Sequence, residues 1–436
     1  MHLADGMNRQ GSKRGKMALF RKRCSVLLLV STFGGFVVQS SSQTNDAALK
    51  AIQVDTKSDG TSASSGVLAG KTLYISAQNG LTPDGNVPKD FQQETAQSLQ
   101  NLRSVLRAAG MDYGNIVWMN VYVTHSADIK RMNEAYWKTI GANPPARTVL
   151  SVAALPNGEN IQLNGIAVSS SSRRRVIHPQ GWPEGPQTDP PGIQADDVLY
   201  ISGQSGTDPV TGKHSNDFAG EVKQALDNVA TVLKAADLSM ANVVWVNPYL
   251  SSTGTKEGVM NKIYASYFEF GNTPGRGTIE VLDLPNQGHI VFSCIAGANL
   301  ALRKSVRPKN ESPSPTASPG VLYGDTLYLS AKDAYVPALG LFSSDLDVQA
   351  RLSMRNLLDG LEEADMDFSN VASSTIYMRD MKDAGLEHRI YGSFFKSSFP
   401  ARTTLQQNLD TKEMSGEQIS MIAVKQPREN GSKLKQ

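Results

Sequence analysis

Three arginines stand at equivalent places along the chain, each two residues after a proline: Arg147, Arg276 and Arg402. A planar guanidinium can hold a carboxylate by two parallel hydrogen bonds, and it stays charged in a partly dry cleft. An arginine that recurs in this way is therefore a candidate binding residue for an anionic group. The alternative interpretation is an arginine that only forms a salt bridge at a domain interface.

The segments around these arginines recur in the same order. Each copy has a Leu-Tyr-aliphatic-Ser strand, an amphipathic helix, an Asn-led apolar strand, a second helix and a final apolar strand. The serines that end the first pattern are Ser76, Ser202 and Ser330. A period of about 127 residues fits a whole domain and is too long for a solenoid repeat. We expect three domains, at residues 44–170, 177–302 and 312–428.

The order of strands and helices predicts an α+β fold in which a mixed sheet carries both helices on one face. The other face of such a sheet is apolar and needs cover, which three sheets can give one another under threefold symmetry. We therefore expect a pseudo-threefold single-chain trimer with a cleft between each pair of neighbouring domains. The chain would be a monomer that acts as an internal trimer, and higher association stays open.

Composition argues against several classes of partner. The chain has 43 Lys and Arg against 41 Asp and Glu, which gives a net charge of +2. A nearly neutral chain of this length does not indicate binding to nucleic acid or to an anionic membrane. The sequence contains no Walker loop, dinucleotide fingerprint or Cys-x-x-Cys pair, and no set of residues with metal-ligand spacing. We expect neither a cofactor nor a metal.

Residues 1–43 have the pattern of a leader and signal peptide. The basic residues Arg21, Lys22 and Arg23 precede an apolar run from Cys24 to Val38, and small polar residues follow. The run is too short to span a bilayer comfortably, so we expect cleavage and no stable membrane anchor. This segment predicts export to the periplasm or the medium, with the thiol of Cys294 left unpaired.

Several motifs in fixed order resemble the RidA/YjgF family of reactive-intermediate deaminases, once called endoribonuclease L-PSP. They lie around the three arginines and on the second helix of each repeat. They include Pro145-Ala146-Arg147-Thr148, Pro274-Gly275-Arg276-Gly277, Pro400-Ala401-Arg402-Thr403, Met132-Asn133-Glu134-Ala135-Tyr136 and Met260-Asn261-Lys262-Ile263-Tyr264.

The resemblance implies a chorismate-mutase-like trimer with a ligand cleft at each interface. In active members, the arginine grips the carboxylate of an imine or enamine. A glutamate on the last strand activates the water that hydrolyses this intermediate to a 2-keto acid and ammonia. The residues that carry over as substrate-binding are Arg147, Arg276, Arg402, Asn133, Asn261, Ser76, Ser202 and Ser330.

The glutamate itself does not carry over. Its position falls on Gln162 in the first repeat and on Val291 in the second. In the third, the forward count gives Glu417 and the backward count gives Gln418. We take Gln418, because an extra residue fits more easily in the preceding loop than within a strand. A glutamine can hold a water but cannot accept a proton, so Gln162 and Gln418 are candidate catalytic residues that only position water.

Other features depart from the family or stay ambiguous. The tyrosine that family members often carry upstream of the first strand is replaced near Ala63, Asp189 and Ala317. His388 replaces the helix asparagine in the third repeat and could transfer protons, although a lone histidine is more often structural. The three serines could bond ligand or only satisfy backbone. His289 and Glu280 lack a third metal ligand.

Three functions are compatible with these residues. The first is a cofactor-independent hydrolase acting on C=N bonds of small imines or enamines. The alternative is a non-catalytic, exported small-carboxylate-binding protein that lacks the water-activating glutamate. The third, ribonuclease activity, rests only on the older family label, and the near-neutral charge and absence of a paired acid and base argue against it.

Overall fold

The computed structural model describes residues 48–54, 63–169, 173–251, 254–285, 288–335, 343–396, 398–408 and 415–426. These residues fall within one compact unit, Asn45–Gln436. The predicted leader and signal peptide, residues 1–43, lies outside the described residues. In the part of the chain that is described, no helix is long and apolar enough to cross a membrane.

Module 1 contains a six-stranded mixed sheet and two helices. Its elements are β1 (Lys50–Ile52), β2 (Gly66–Ala69), β3 (Thr72–Asn79), α1 (Phe91–Ala108), β4 (Ile116–Val123), α2 (Ile129–Ile140), β5 (Ala146–Ser151) and β6 (Ile161–Val168). The spatial order of the strands is β1-β2-β3-β6-β4-β5. Strands β4 and β5 pair in parallel, and the other neighbours are antiparallel.

Module 2 repeats this arrangement with its last edge strand divided in two. Its elements are β7 (Arg174–Ile177), β8 (Gly192–Ala195), β9 (Val198–Ser205), α3 (Phe218–Ala235), β10 (Val243–Leu250), α4 (Gly254–Tyr264), β11 (Gly275–Arg276), β12 (Ile279–Glu280) and β13 (Ile290–Gly297). The order is β11-β10-β13-β9-β8-β7, and β12 also pairs with β10.

Module 3 again has six strands. Its elements are β14 (Arg303–Val306), β15 (Gly320–Tyr323), β16 (Thr326–Lys332), α5 (Leu346–Glu363), β17 (Val371–Met378), α6 (Ala384–Gly392), β18 (Ala401–Gln406) and β19 (Glu417–Val424). The order is β14-β15-β16-β19-β17-β18. Strands β7 and β14 begin before residues 177 and 312, so short runs upstream of the expected domain starts add edge strands to the second and third sheets.

The long helix of each module packs on one face of its own sheet. Helix α1 begins after Asp90, whose side chain accepts a hydrogen bond from the backbone N–H of Gln93 and so satisfies one free donor of the first turn. Its apolar residues recur at helical spacing and are buried against β3, β4 and β6. They are Leu99, Leu102, Val105 and Leu106.

The opposite faces of the three sheets pack on one another. Successive residues of a strand point to opposite faces, so Met119 joins the core under the helices while Trp118 points the other way. Trp118 of module 1, Trp245 of module 2 and Ala372 of module 3 belong to one buried cluster. The expected mutual cover of the sheets is confirmed by this cluster, which leaves no apolar sheet face to solvent at this position.

The modules contact one another in a closed cycle. The backbone N–H of Arg147 donates to Ser202 Oγ at 2.9 Å, and that of Arg276 donates to Ser330 Oγ at 2.8 Å. The third contact returns to the first module, because the N–H of Arg402 donates to Ser76 Oγ at 2.9 Å. The three equivalent contact sites each lie between two modules. We call them cleft 1 at Arg147, cleft 2 at Arg276 and cleft 3 at Arg402.

Candidate functional site

Each cleft arginine lies on the edge strand that ends its module's sheet and stacks on a tyrosine of the second helix. The guanidinium carbons lie 3.9, 5.3 and 5.7 Å from the ring centroids of Tyr136, Tyr264 and Tyr391. The face of an aromatic ring stabilises a cation placed over it, and the N–H groups at the edge of the guanidinium remain available for hydrogen bonds. These tyrosines were not predicted as site residues, although two of them belong to the quoted helix motifs.

The three serines at the clefts are engaged with backbone groups. Besides accepting from the arginine N–H, each hydroxyl donates to a carbonyl twelve residues earlier in its own module. The acceptors are the carbonyl oxygens of Ser64, Pro190 and Ser318. Each serine therefore fixes the arginine strand of one module against the first strands of the next.

Cleft 1 is occupied by a carboxylate of the chain itself. Asp189 Oδ2 accepts hydrogen bonds from Arg147 Nε at 3.0 Å and from Nη2 at 2.8 Å. The remaining terminal nitrogen, Nη1, lies 3.8 Å from the sulfur of Met132. Arg147 is only 5% exposed. Its guanidinium is therefore committed to Asp189 and to the helix beneath it.

Among the three clefts, only cleft 1 has an aspartate at this position. Asp189 immediately precedes Pro190, whose carbonyl accepts from the cleft serine, and the residues at the equivalent position of the other two clefts are Ala63 and Ala317. Gly203 of this cleft has close neighbours, whereas Asp189 also lines a cavity of about 700 Å³. A Cβ on Gly203 would lie 2.8 Å from Val291 and 3.0 Å from Thr148.

Cleft 2 contains a cavity of about 380 Å³ that Arg276, Ser330 and Gln418 all line. Arg276 Nη1 donates to Asn261 Oδ1 at 2.7 Å. Among the described residues, no carboxylate oxygen lies within 4.0 Å of the Arg276 guanidinium. Burial lowers the pKa of Arg276 from its usual value of 12.5. A guanidinium nevertheless stays protonated in proteins at neutral pH. The cavity thus contains a cation whose other N–H groups can meet a ligand.

Cleft 3 presents a second arginine with a spare donor. Arg402 is 7% exposed, and its Nη1 is buried with no hydrogen-bond partner among the described residues. Its Nη2 lies 3.5 Å from His388 Nδ1, and His388 Nε2 lies 3.1 Å from Thr404 Oγ1. The histidine that replaces the helix asparagine therefore contacts the arginine of the same cleft.

The last strands show which residue faces each cleft. Gln162, Val291 and Gln418 pair with Tyr122, Tyr249 and Tyr377, so they are equivalent. Gln418 lines cleft 2, which places Gln162 at cleft 3 and Val291 at cleft 1 by the same cyclic order. Gln162 Nε2 donates to Glu159 Oε2 at 2.8 Å, while its amide oxygen has no partner among the described residues.

Glu417 points away from the clefts into the interior of module 3. It is fully buried, as is Glu387 of α6. Burial raises the pKa of Glu417 well above its usual value, and the neighbouring Glu387 raises it further. Burial also raises the pKa of Glu387 to about 8, although the positive charge of Arg402 opposes this shift. The backward count along the third repeat thus identifies the residue that faces the cavity.

Two further candidates have different surroundings. Asn261 bonds its arginine, whereas Asn133 Oδ1 has no hydrogen-bond partner among the described residues and Met132 contacts Arg147 instead. His289 Nδ1 lies 2.9 Å from Glu221, and Glu280 lines cleft 2. Within the described ranges, no group of three His, Cys, Asp or Glu side chains could hold a metal ion.

Comparison with known proteins divides the chain into the same three parts. The sequence model of the Endoribonuclease L-PSP family matches residues 61–169, 188–297 and 310–425. A 2-iminobutanoate/2-iminopropanoate deaminase of Rattus norvegicus is 39% identical over 107 residues, which are 24% of this chain and 78% of the relative. The Homo sapiens protein of the same description is 36% identical over the same shares. A RutC family protein of Saccharolobus solfataricus is 36% identical over 24% of this chain and 86% of its own.

Proposed function

The chain belongs to the Endoribonuclease L-PSP family, with three copies of the family domain in tandem, and from this premise we propose that it binds small organic acids in clefts 2 and 3 and hydrolyses their imines there. One observation carries the proposal. Arg276 and Arg402 have no carboxylate within ion-pair distance among the described residues, whereas Arg147 is paired with Asp189.

Carboxylate binding follows from the state of these guanidinium groups. A buried charge that lacks an ionic partner is costly, and a ligand carboxylate supplies both the opposite charge and the missing acceptors. The serine of the next module fixes the backbone N–H of each arginine, and a tyrosine ring contacts each guanidinium before ligand arrives. In cleft 2, Asn261 also accepts a hydrogen bond from the guanidinium. Such preorganisation lowers the cost of binding.

Hydrolysis of the bound imine would then need one water. The water oxygen attacks the carbon of the C=N bond, that bond breaks, and the nitrogen leaves as ammonia with the protons that the water releases. The product is a 2-keto acid. Gln162 and Gln418 can orient the water through their amide oxygens, but they cannot take its proton. The relatives described as deaminases support this reaction class for the family.

A second function is favoured by a specific observation. None of the three equivalent last-strand positions carries a carboxylate, since they are Gln162, Val291 and Gln418. General-base help is typically worth about 10²–10⁴-fold in rate. A chain without it could bind organic acids as a receptor or scavenger without hydrolysing their imines.

The test is trapping of freshly generated 2-iminobutanoate with semicarbazide, with and without the purified protein. We expect the protein to lower semicarbazone formation by consuming the imine, and we expect the Arg276→Met/Arg402→Met double variant to lose this effect. Arg131→Met, at a half-exposed arginine of α2, is the matched control and should keep it. Binding of 2-oxobutyrate without imine consumption would favour the second function, and no binding would contradict both.

We also propose that residues 1–43 direct export. The support is the order of basic, apolar and small polar residues in that segment. Mass spectrometry of the protein from fractionated cells tests this. A chain that starts after the small polar residues and lies outside the cytoplasm is expected, and an intact chain retained in the cytoplasm would contradict it.

A further inference from the structure

A second large cavity lies between modules 1 and 2, beside cleft 1. Its volume is about 700 Å³. Module 1 contributes Trp137 of α2 and residues 141–144, and module 2 contributes β7 and residues 184–190. Asp189 is common to this cavity and to cleft 1. We call it the side cavity.

One face of strand β7 borders the side cavity. Arg174 and Val176 line it, and so does His178 just past the end of the strand. Successive side chains of a strand point to opposite sides, and Ile177 accordingly belongs to the core of module 2. The strand therefore places a cation and an apolar side chain along the same cavity wall.

Arg174 carries a charge that has no ionic partner in the chain. Among the described residues, no carboxylate oxygen lies within 4.0 Å of its guanidinium. Its Nη2 donates to the carbonyl oxygens of Asn143 and Pro144, whereas its Nε is buried with no hydrogen-bond partner in this part of the chain. Burial lowers the pKa of Arg174, but a guanidinium stays protonated at neutral pH. A ligand carboxylate would supply both the opposite charge and an acceptor.

The equivalent arginine of module 3 has the partners that Arg174 lacks. Arg303 begins β14 as Arg174 begins β7. Its Nε donates to the carbonyl oxygen of Val243 at 3.0 Å, and its Nη1 and Nη2 donate to Asn272. All three nitrogens of Arg303 are thus used within the chain. The free donor of Arg174 is a local difference, and it is the reason to assign a ligand to this arginine.

The other charged groups of the side cavity are paired. Asp189 Oδ2 accepts from Arg147 Nη2 at 2.8 Å. Glu184 Oε1 lies 3.1 Å from His178 Nδ1, and the side chain of Glu184 is 73% exposed. Water and salt screen the charge of such an exposed carboxylate, so it repels an incoming anion only weakly. Arg174 therefore decides the sign of the ligand.

The rest of the wall is largely apolar. Val176 is 51% exposed and Trp137 is only partly buried, so both present apolar surface to a ligand. An aromatic ring packs well on the ring of a tryptophan, and covering apolar surface is favourable. A volume of about 700 Å³ lies within the range of about 300–1,000 Å³ for small-molecule pockets. The apolar residues of the lining are Trp137, Ala142, Pro144, Val176, Pro186 and Pro190.

We propose that the side cavity binds small aromatic carboxylic acids, with the carboxylate on Arg174 and the ring against Trp137 and Val176. The inference does not depend on ligand binding in clefts 2 and 3 or on imine hydrolysis. It assigns a separate ligand to the boundary between modules 1 and 2, where Asp189 already occupies the cleft arginine.

Isothermal titration with indole-3-acetate and indole-3-acetamide tests the assignment, because the two molecules share the ring and differ in charge. We expect the acid to bind at least tenfold more tightly than the amide. Arg174→Gln should remove this difference, and Trp137→Ala should weaken both molecules severalfold. Arg175→Gln is the matched control, because Arg175 is the next residue of β7, bonds Gln194 at 2.6 Å and lies outside the lining. It should leave the ratio unchanged.

Two further variants complete the test. Val176→Asp keeps the arginine and adds a negative charge to the cavity wall, so it should weaken the acid more than the amide. This variant serves even if Arg174→Gln is poorly folded, since Arg174 also bonds the carbonyl groups of residues 143 and 144. The Arg276→Met/Arg402→Met variant should bind indole-3-acetate as the parent does.

Three results would overturn the inference. They are equal affinity for the acid and the amide, a preference that survives both Arg174→Gln and Val176→Asp, and loss of acid binding in the Arg276→Met/Arg402→Met variant. The last result would place the acid in clefts 2 and 3. Binding of 2-oxobutyrate decides the proposed function separately, because that acid has no ring to occupy the apolar wall.

Discussion

The carboxylate of Asp189 sits on the guanidinium of Arg147, with one oxygen 3.0 Å from Nε and 2.8 Å from Nη2. Asp189 belongs to module 2 and Arg147 to module 1, so the pair also joins two modules. It occupies the donors that a ligand carboxylate would need. The three clefts are therefore chemically different although their backbones repeat, and the difference depends on one side chain.

Moving this aspartate from cleft 1 to cleft 2 should free the arginine of cleft 1 and block the arginine of cleft 2. Asp189→Ala frees Arg147 and should raise the stoichiometry of 2-oxobutyrate from two to three per chain. Ala317→Asp places a carboxylate at the equivalent position of cleft 2 and should lower it to one. Isothermal titration gives both numbers. Loss of the charged hydrogen bonds in Asp189→Ala should cost about 1.5–3 kcal/mol of stability, which ligand partly restores.

Two controls accompany the exchange. Asp128→Ala, at a surface carboxylate of module 1 that pairs with Arg131, should leave the stoichiometry at two. Circular dichroism checks that each variant is folded. Three sites in the parent protein, or two in both exchanged variants, would show that Asp189 does not close cleft 1.

A carboxylate restored on the last strand should accelerate imine hydrolysis. Gln418→Glu faces the cavity of cleft 2 and should increase the rate by about 10²–10⁴-fold if its carboxylate acts as general base. Gln162→Glu would lie beside Glu159, which now accepts from Gln162 at 2.8 Å. Two carboxyls this close share a proton, so its gain should appear only at higher pH.

Semicarbazide trapping of 2-iminobutanoate across pH 6–9 measures both variants. Gln418→Ala is the control that changes the same position without adding a base, and its rate should not exceed that of the parent. An unchanged rate in folded Gln418→Glu would mean that this strand position does not meet the reacting water.

Glu387 should make the protein less stable as pH rises. Its pKa in the folded chain is about 8, against 4.5 for the ordinary group, so the folded state binds a proton that the unfolded state releases between these values. Stability should therefore fall by about 1.4 kcal/mol per pH unit within this window from this group alone. Glu387→Gln keeps the shape without the ionisation and should flatten the slope.

Urea unfolding at pH 5.5, 6.5 and 7.5 measures this slope. Glu363→Gln, at an exposed carboxylate of α5, is the matched control and should leave the slope as in the parent. If the parent is equally stable at the three pH values, or if Glu387→Gln keeps the full slope, the buried acid does not carry the effect.

The serine contacts between modules should contribute measurably to stability. Ser202→Ala removes the acceptor of the Arg147 N–H and the donor to the Pro190 carbonyl, and both partners are buried. Leaving buried polar groups unpaired should cost about 1–3 kcal/mol. Ser104→Ala on the exposed face of α1 should cost much less, because its hydroxyl reaches water. Equal losses in urea unfolding would contradict the role of Ser202.

Much of this architecture could be predicted from residue patterns. Two patterns depend on local sequence alone: the helical spacing of Leu99, Leu102 and Leu106, and the recurrence of the arginines at a domain-sized period. These patterns are sufficient to predict the fold and the repeat. Gln418 could be chosen over Glu417 because an extra residue fits more easily in the loop before the strand than within it, and alternation along the strand then turns Glu417 away.

Other parts of the site depend on contacts between segments distant in sequence. Asp189 is 42 residues from Arg147, and a loop without regular spacing places it there. The role of Glu280 in lining cleft 2 follows from the packing of module 2 against module 3, which no local pattern encodes. The tyrosines under the arginines were visible in the motifs, but their contact with the guanidinium required coordinates.

A crystal structure of the protein with 2-oxobutyrate at saturating concentration tests the central claim most directly. We predict one ligand carboxylate on Arg276, one on Arg402, and Asp189 still bonded to Arg147. Ligand on Arg147 with Asp189 displaced, or unliganded Arg276 and Arg402 at a concentration that saturates binding in solution, would contradict it.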